Sequence, residues 1–220
     1  MRALVVGDSG GIGAALSGVL AGQGVQVTGL SRRANGLDVT DEASVSAVMG
    51  ALEAEFDLIF VATGALELNG AAPEKSLRGL GAVSMQDQFA LNAMGPALVL
   101  KHGLRLLPRS RPSRFAVLSA RVGSIGDNAL GGWYSYRAAK AALNQFIHTG
   151  AIEVARSHPQ AVVVSLHPGH VATPLSLKYG GNLAAVSPQE AAENLLRVLD
   201  GLTPAQSGGF YDWEGKAIPW

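Results

Sequence analysis

The stretch that decides the fold runs from Arg2 to Gly13 and reads RALVVGDSGGIG. Its first half, which ends at Val6, is a short valine-rich run typical of a buried parallel strand. The second half has the spacing G-x-x-x-G-x-G, and an Ala- and Leu-rich segment then predicts a helix to about Gln23. A strand, a glycine turn and a helix in this order let the backbone approach a pyrophosphate at a helix N-terminus. The stretch therefore predicts the first unit of a dinucleotide-binding fold.

Strand-like and helix-like segments alternate along the rest of the chain. Further strands are predicted at residues 26–30, 37–40, 58–62, 114–119, 161–166 and 209–212. Later helices are predicted from residue 84 to about 107, from the segment at 131–137 to about 156, and from a Ser187-Pro188 cap to 199. No internal repeat or linker interrupts this pattern. We therefore predict an α/β fold: a single doubly wound Rossmann domain over residues 1–220, with a mostly parallel sheet of about seven strands.

Composition and charge argue against several classes of function. Lysine plus arginine and aspartate plus glutamate both number 17, and no basic run is longer than two, so nucleic acid and membrane are not expected partners. The chain has no cysteine, and its five histidines lack the spacing of a metal site, so no metal is predicted. The N-terminus does not resemble a signal peptide, and no apolar run reaches the about 18 residues of a membrane span. We therefore expect a cytoplasmic protein.

A tyrosine and a lysine on the predicted long helix are candidates for acid–base chemistry. Tyr136 and Lys140 lie in the segment GGWYSYRAAKAALN at residues 131–144. At this spacing the phenol and the ammonium share one helix face, about one turn apart. A nearby cation favours the phenolate, so we expect Lys140 to lower the tyrosine pKa below its usual value of about 10. Alone, the pattern is more typical of a surface pair; the predicted cofactor site is what favours proton transfer with an alcohol or carbonyl oxygen.

The end of the second predicted strand indicates which dinucleotide is bound. Ser31, Arg32 and Arg33 follow this strand, and Arg32 comes 19 residues after Gly13. An NAD-binding unit usually places an acid there, on the ribose 2′-hydroxyl. A serine and two arginines suit a 2′-phosphate instead. A solvated basic turn is the alternative for either arginine alone. With the glycine turn present, the pattern favours NADP(H) as the cofactor, and NAD(H) is the less favoured one.

Together these motifs resemble those of the short-chain dehydrogenase/reductase family over nearly the whole chain. The family's glycine motif is matched at residues 7–13 and its YxxxK motif at Tyr136 and Lys140, and the GSI at residues 123–125 is most similar to the C-factor-like branch. The resemblance implies cofactor contacts from Gly7, Ser9, Gly11, Ile12 and Gly13; Ser31, Arg32 and Arg33; Asp38 and Val39; Ala62, Thr63 and Gly64; Tyr136 and Lys140; and Pro168, Val171 and Thr173.

The resemblance also implies the roles of the catalytic residues. Tyr136 transfers the proton, Lys140 lowers its pKa and holds the ribose, and the main-chain carbonyl of Asn92 holds a water that connects to the lysine. Pro96 gives a local reason for the free carbonyl, because proline has no N–H to bond the residue four positions before it. A kink that serves only packing is the alternative.

One residue of the family pattern is missing. The family holds the substrate oxygen with a serine three residues before a glycine, and counting back from Gly123 gives Ala120. Ser119 is adjacent, but strand alternation is expected to turn it to the opposite face. We therefore expect Ser124, in the following loop, or backbone N–H groups to contact the substrate; weak activity is the third alternative.

The sequence thus predicts an NADP(H)-dependent enzyme that interconverts a carbonyl and a secondary alcohol by hydride transfer with a Tyr/Lys proton relay. A small-molecule carbonyl or alcohol is the expected substrate. The alternative is a C-factor-like signalling or regulatory protein that binds the cofactor with little turnover. As is common in the family, the helices from Ser84 and Tyr136 are expected to pair with their copies, in a homodimer or homotetramer.

Overall fold

A parallel sheet forms the centre of the molecule, whose computed structural model describes residues 1–172, 178–179 and 184–220. Within these residues the strands are β1 (Arg2–Val6), β2 (Gln26–Leu30), β3 (Leu58–Val61), β4 (Ser113–Leu118), β5 (Ala161–His167) and β6 (Phe210–Asp212). Their order is β2-β1-β3-β4-β5-β6, and every neighbouring pair is parallel. The chain moves outward from β1 in both directions, so the predicted doubly wound α/β fold is confirmed.

Helices cover both faces of this sheet. In the described residues the α-helices are α1 (Gly11–Gly22), α2 (Arg32–Asn35), α3 (Glu42–Gly50), α4 (Ala82–Phe89), α5 (Gly95–Gly103), α6 (Tyr134–Ser157) and α7 (Pro188–Gly201). The predicted cap of α7 is confirmed, because the Ser187 hydroxyl accepts the Glu190 N–H at 3.1 Å. No helix in the described part of the chain is long and apolar enough to cross a membrane.

Each face of the sheet buries its own apolar core, since successive strand residues point to opposite faces. On one face Val6, Ile59 and Phe115 belong to a core that includes residues of α3, α5 and α6. On the other, Val5 and Phe60 pack with residues of α1 and α7. Because both faces are covered, the central strands β1 and β3 are almost continuous apolar runs. The carboxyl ends of the strands remain as the place where such a sheet binds ligands.

One predicted strand does not form. Residues 37–40 belong to none of the described ladders, and their polar groups bond locally instead. The Asp38 carboxylate accepts the Thr40 N–H at 2.9 Å and the Thr40 hydroxyl at 2.6 Å, while the Asp38 N–H donates to the Ser44 hydroxyl at 3.0 Å. Such local bonds compete with strand pairing. The sheet of the described residues therefore has six strands rather than about seven.

The long helix predicted from residue 84 changes its winding midway. It begins two residues earlier, at Ala82, and passes through a π-helical turn at Ala90–Met94 before α5. Pro96 lies just after this turn and has no N–H to continue an α-helical ladder. Asn92 lies within the π-helical turn, so the predicted irregularity in the backbone occurs at the residue proposed to hold a water.

Candidate active site

The glycine turn between β1 and α1 lets a ligand approach the backbone. Gly7 has a φ of 91°, and a Cβ there would lie 3.0 Å from the carbonyl carbon of Ala62. A Cβ on Gly13 would lie 2.1 Å from the Gly7 carbonyl oxygen. Neither position accepts a side chain. The N-cap residue of α1 is Gly10, which has no side chain to bond the first N–H groups, and the first turn contains no acidic residue. The first N–H groups of α1 and its positive dipole end therefore remain available to an anion, which fits a dinucleotide pyrophosphate.

A cleft of about 430 Å³ opens at the carboxyl ends of the strands, and we call it the strand-end cleft. It lies between the start of α1, the segments that follow β3, β4 and β5, and α6. The predicted cofactor residues in its lining are Gly11, Ile12, Ala62, Thr63, Gly64, Tyr136, Lys140, Pro168 and Val171. Open α/β sheets bind ligands in such a crevice, beside the strand where the order reverses.

The basic residues after β2 lie at the start of a short helix, α2. Ser31 is 5% exposed, and its hydroxyl caps α2 by accepting a backbone N–H at 3.3 Å. Arg32 and Arg33 are exposed on α2, and Arg32 lies 3.5 Å from the Asp38 carboxylate. Hydrogen bonds from Thr40, and to a smaller extent the charge of Arg32, hold the pKa of Asp38 below its usual range. Both guanidinium groups are accessible to a phosphate, whereas Ser31 is buried.

Other predicted cofactor residues lie outside the wall of the strand-end cleft. Gly7 and Gly13 shape the glycine turn, and Ser9 is exposed on it. Val39 is 4% exposed, and its side chain packs against the start of α5, so that only its main chain is free to meet a ligand. Thr173 lies outside the described residues.

Asp8 is a functional candidate that the sequence analysis missed. A Cβ on Gly29 of β2 would lie 1.9 Å from Asp8 Oδ2, so the carboxylate lies directly against this strand. Asp8 Oδ1 is buried and has no hydrogen-bond partner in the described part of the chain. The carboxylate thus stands beside β2, close to the position where an acid usually meets a ribose. It comes from the glycine turn and not from the end of β2, so the spacing rule for β2 could not reveal it.

Tyr136 and Lys140 lie one turn apart on α6, and Lys140 Nζ is 5.8 Å from the centroid of the tyrosine ring. Lys140 is 2% exposed and donates to the Leu118 carbonyl at 2.8 Å. The expected lowering of the tyrosine pKa is wrong for this state of the protein. Burial raises the pKa of Tyr136 to about 12 and lowers that of Lys140 to about 7. Removal from water penalises the charged form of each group and outweighs their attraction.

Asn92 ties the loop after β3 to the helical segment that carries it. It is fully buried; its Oδ1 accepts the Ala65 N–H at 3.1 Å, and its Nδ2 donates to the Ala65 carbonyl at 2.8 Å and to Gln88 Oε1 at 2.7 Å. Gly64 lies between Asn92 and Lys140, because a Cβ there would be 2.8 Å from Asn92 Oδ1 and 3.2 Å from Lys140 Nζ. The structure thus brings the three predicted catalytic residues to one end of the sheet.

The serines near Ala120 are engaged within the protein. Ser119 is 4% exposed, and its hydroxyl donates to Asn144 Oδ1 of α6 at 2.7 Å. Ser124 is 1% exposed, and its hydroxyl accepts the Asp127 N–H at 3.1 Å. Ser119 lines the strand-end cleft as Ala120 does, although strand alternation was expected to turn it away, and Ser124 does not line the cleft. The structure therefore does not bring the Ser124 hydroxyl to the place expected for a substrate.

A second cavity of about 670 Å³ adjoins the strand-end cleft, and we call it the side cavity. Both are lined by Ala120, Tyr136, His167, Gly169 and His170. The remaining wall of the side cavity comes from the loops after β3 and β4, from the first turn of α6 and from Tyr179. Tyr136 therefore lies where a ligand in one space would meet a ligand in the other.

His167, at the end of β5, was not assigned a role from the sequence. Its side chain lines both cavities, and its Nδ1 is buried without a hydrogen-bond partner among the described residues. Burial, and secondly the charge of Arg121, lower the pKa of His167 to about 4. The imidazole is therefore neutral at physiological pH. Its position directly after a buried strand was the signal that could have singled it out.

Comparisons with known proteins place the chain in a family. A family model described as enoyl-(acyl carrier protein) reductase matches residues 26–200. The chain is also 32% identical to a 1-hydroxy-2-glutathionyl-2-methyl-3-butene dehydrogenase of Rhodococcus sp. over 192 residues, which are 84% of this chain and 79% of that protein. The chain belongs to the short-chain dehydrogenase/reductase family of oxidoreductases, and the predicted family is confirmed.

Similar proteins include C-signal of Myxococcus xanthus, which is 36% identical over 166 residues, or 73% of this chain and 96% of that protein. This likeness agrees with the predicted C-factor-like branch. Among solved structures, a short-chain dehydrogenase/reductase of Burkholderia multivorans with bound NADP has a TM-score of 0.80 at 25% identity, and the match covers 100% of this chain and 99% of that one. An NADPH-bound carbonyl reductase from chicken fatty liver has a TM-score of 0.81 at 25% identity, with coverages of 100% and 98%.

Proposed function

We propose that the chain is an NADP(H)-dependent oxidoreductase that interconverts a carbonyl compound and a secondary alcohol. The observation that carries this proposal is the position of Tyr136, which lines both the strand-end cleft and the side cavity. A coenzyme on the glycine turn would extend into the cleft, and a small molecule in the side cavity would meet the same tyrosine. The exposed Arg32 and Arg33, together with the NADP-bound relative, support NADP(H) over NAD(H).

The nicotinamide coenzyme supplies the hydride in reduction and takes it up in oxidation. The glycine turn binds its pyrophosphate through the N-terminus of α1, and Arg32 and Arg33 bind the 2′-phosphate. Lys140 holds the ribose. Tyr136 gives its hydroxyl proton to the substrate oxygen as the carbonyl becomes an alcohol, and it takes a proton from the alcohol in the reverse direction.

The shifted pKa values suit proton donation by the tyrosine. A pKa of about 12 keeps Tyr136 protonated at neutral pH, so the proton is present when a carbonyl binds. A pKa of about 7 allows Lys140 to become charged as the tyrosine loses its proton, which balances the new negative charge. The main-chain carbonyl of Asn92, in the π-helical turn, would hold the water that passes protons to the lysine.

A second contact to the substrate oxygen must come from a group other than a hydroxyl at Ala120. The Ser124 hydroxyl is bonded to the Asp127 N–H and the Ser119 hydroxyl donates to Asn144, which leaves two candidates in this part of the site. One is the set of backbone N–H groups that follow β4, and the other is the neutral imidazole of His167, which lines both cavities. Either supplies a donor of the kind that stabilises a developing oxyanion.

A second candidate function is signalling or regulation, with coenzyme binding but little turnover. Two observations favour it: the missing hydroxyl at Ala120 and the 36% identity to C-signal of Myxococcus xanthus. Loss of one oxyanion-type donor typically lowers kcat by about 10²–10³-fold. Such a loss would still leave measurable activity from the tyrosine and the lysine, so turnover separates the two functions.

The experiment is to measure NADPH binding by titration and NADPH oxidation against a panel of ketones, aldehydes and quinones. Reactions without protein and reactions with NADH are run in parallel. Turnover of at least one panel member above the protein-free rate supports the oxidoreductase. Tight NADPH binding with no turnover of any member supports the signalling candidate, and absence of NADPH binding contradicts both.

A further inference from the structure

Trp133 forms part of the wall of the side cavity in a strained backbone conformation. Its φ of 53° and ψ of 42° are left-handed, and Gly131 and Gly132 before it are left-handed too, with φ of 65° and 67°. Trp133 and Asn69 are the non-glycine residues with positive φ in the described ranges. A bulky residue keeps this conformation only where its surroundings hold it, and such residues concentrate at functional sites.

Two charged residues hold this turn in place. The main-chain carbonyl of Glu74 accepts the Trp133 N–H at 2.6 Å, and the Glu74 carboxylate accepts an N–H of the first turn of α6 at 3.2 Å. From the other side, Arg137 donates to the Gly132 carbonyl at 2.9 Å and to the Gly131 carbonyl at 3.0 Å. The backbone that carries the indole is therefore held in place before any ligand binds.

The indole lies between two tyrosine rings. The ring centroids of Trp133 and Tyr136 are 6.5 Å apart at an interplanar angle of 68°, and those of Trp133 and Tyr179 are 6.0 Å apart at 81°. Both are edge-to-face arrangements. Leu66 and Val122 add apolar surface to the same cavity. An aromatic and apolar wall thus stands directly beside the tyrosine that is proposed to donate the proton.

The charged side chains in the side cavity already have partners within the protein. Arg121 lies 2.9 Å from the Asp127 carboxylate and 3.4 Å from the Asp212 carboxylate. The Arg137 guanidinium donates to three main-chain carbonyls, at the turn before α6 and at Val122. A charged group on a ligand would lose its water against the apolar and aromatic part of this wall, so the cavity favours an uncharged molecule.

We propose that Trp133 determines specificity and that the side cavity takes carbonyl compounds whose carbonyl carries a flat, uncharged ring. This inference rests on the proposed carbonyl chemistry at Tyr136. A ring against the indole would bring the attached carbonyl beside the tyrosine hydroxyl. A flat ring also makes aromatic contacts that an aliphatic ring of equal size does not, which corresponds to about two- to tenfold in affinity for one pair.

The test compares the binding of three ketones to the complex with oxidised NADP, which has no hydride to give. Calorimetry gives Kd for acetophenone, for methyl cyclohexyl ketone of similar size, and for the charged 4-acetylbenzoate. The matched variants are Trp133→Phe, which keeps a flat ring, and Trp133→Leu, which does not. Phe and Leu at position 133 would both occupy the left-handed conformation of Trp133, so the two variants should have similar backbone strain. Circular dichroism and the Kd for NADP report whether each variant is folded.

We expect wild type and Trp133→Phe to bind acetophenone about two- to tenfold more tightly than methyl cyclohexyl ketone. In Trp133→Leu this preference should disappear. In all three proteins 4-acetylbenzoate should bind more weakly than acetophenone. The inference is overturned if wild type shows no ring preference, if Trp133→Leu keeps it, or if the carboxylate improves binding.

A fluorescence measurement covers the case in which Trp133→Leu does not fold. Acetophenone against the indole should quench the tryptophan emission of wild type more than that of Trp133→Phe, and equal quenching would overturn the inference. Failure of the proposed function can be distinguished from failure of this inference, because calorimetry and fluorescence measure ketone binding without turnover. Selective binding of acetophenone without its reduction by NADPH contradicts the oxidoreductase and leaves the binding site standing.

Discussion

Lys140 shows how strongly burial controls the chemistry of single residues in this site. Its Nζ donates to a main-chain carbonyl, yet burial still lowers its pKa to about 7. The usual value in an unfolded chain is about 10.4. A group whose pKa differs between the folded and unfolded states makes stability depend on pH, and this dependence can be measured without a substrate.

Lys140→Met should remove one such pH dependence. Because the pKa is lower in the folded state, unfolding takes up a proton between pH 7 and about 10. The contribution of Lys140 to the free energy of unfolding therefore rises with pH between pH 7 and about 10, by up to about 1.4 kcal/mol per pH unit. Below pH 7 this contribution is constant and at its lowest. Urea denaturation at pH 6, 7, 8 and 9 should show the difference between wild type and variant growing in favour of wild type above pH 7. A constant difference would mean that the folded protein keeps Lys140 charged.

Arg32→Asp tests the choice of coenzyme. We expect wild type to bind NADP(H) at least about tenfold more tightly than NAD(H), since a guanidinium on the 2′-phosphate is a strong charge-assisted contact. The substitution removes that partner and adds repulsion, so the preference should reverse. Arg156→Asp, an exposed arginine in the last turn of α6, is the matched control and should change neither affinity. Equal affinities of wild type for the two coenzymes, measured by titration, would contradict the proposal.

At the residue scale, spacing predicted which side chains meet but not how they are solvated. Tyr136 and Lys140 share a helix face because of their i, i+4 spacing, which the sequence contains. Their pKa values depend on burial by β4 and the loop after β3, which the sequence does not contain. Ser124 was a candidate because it is near Gly123 in sequence, but a local hydrogen bond to the Asp127 N–H holds its hydroxyl.

At the element scale, the bounds of the first two strands could be predicted from the sequence. β1 and β2 begin and end at the predicted residues, because each is a short strand-like run followed by turn residues. Residues 37–40 looked equally strand-like, but Asp38 offers its own backbone a local alternative. The π-helical turn was foreseeable only as an irregularity at Pro96, since proline removes a hydrogen bond without specifying how the helix compensates.

Glu74→Ala should loosen the start of α6 and displace the residues next to Tyr136. It removes a buried acceptor of the Ser135 N–H and hydroxyl, so we expect a loss of about 1–3 kcal/mol in stability. The misplaced helix start should lower kcat by about tenfold or more. NADPH affinity should change little, because the glycine turn lies on another element. Glu74→Gln keeps an acceptor oxygen and should retain most of the activity.

The control for Glu74 is Glu42→Ala, which removes an exposed acid from the first turn of α3 and should leave kcat unchanged. Chemical denaturation, steady-state kinetics and NADPH titration give the three readouts. A Glu74→Ala protein with wild-type kcat would show that the loop does not position the catalytic helix.

At the scale of the whole molecule, the fold class followed from the alternation of strands and helices, whereas the side cavity did not. Its wall combines Leu66, Val122, Trp133 and Tyr179, which lie in separate loops and helices. No local pattern relates these positions, and only the folding of the chain around the sheet brings them together. Substrate preference therefore depends on contacts that the fold creates and that no local sequence pattern contains.

An exposed apolar face on α4 and α6 bears on assembly. Val83, Phe89 and Phe146 are 70%, 42% and 41% exposed, and an apolar hollow of about 650 Å³ lies between the two helices. We expect this face to pair with its copy across a two-fold axis. Phe146→Asp should yield a monomer in sedimentation velocity at micromolar concentration. Ile125→Asp, at a position 76% exposed outside α4 and α6, should leave the assembly unchanged. A monomeric wild type would rule this assembly out.

The central claim is that the Tyr136 hydroxyl supplies the proton in carbonyl reduction. The most direct measurement is the rate of NADPH oxidation by wild type and by Tyr136→Phe, on a carbonyl compound that wild type reduces. The variant loses only the hydroxyl, and its ring still fills the space. We expect kcat to fall by about 10²-fold or more while the Kd for NADPH stays within about twofold. A Tyr136→Phe protein that keeps wild-type turnover would contradict the account and leave Tyr136 and Lys140 as a structural pair on α6.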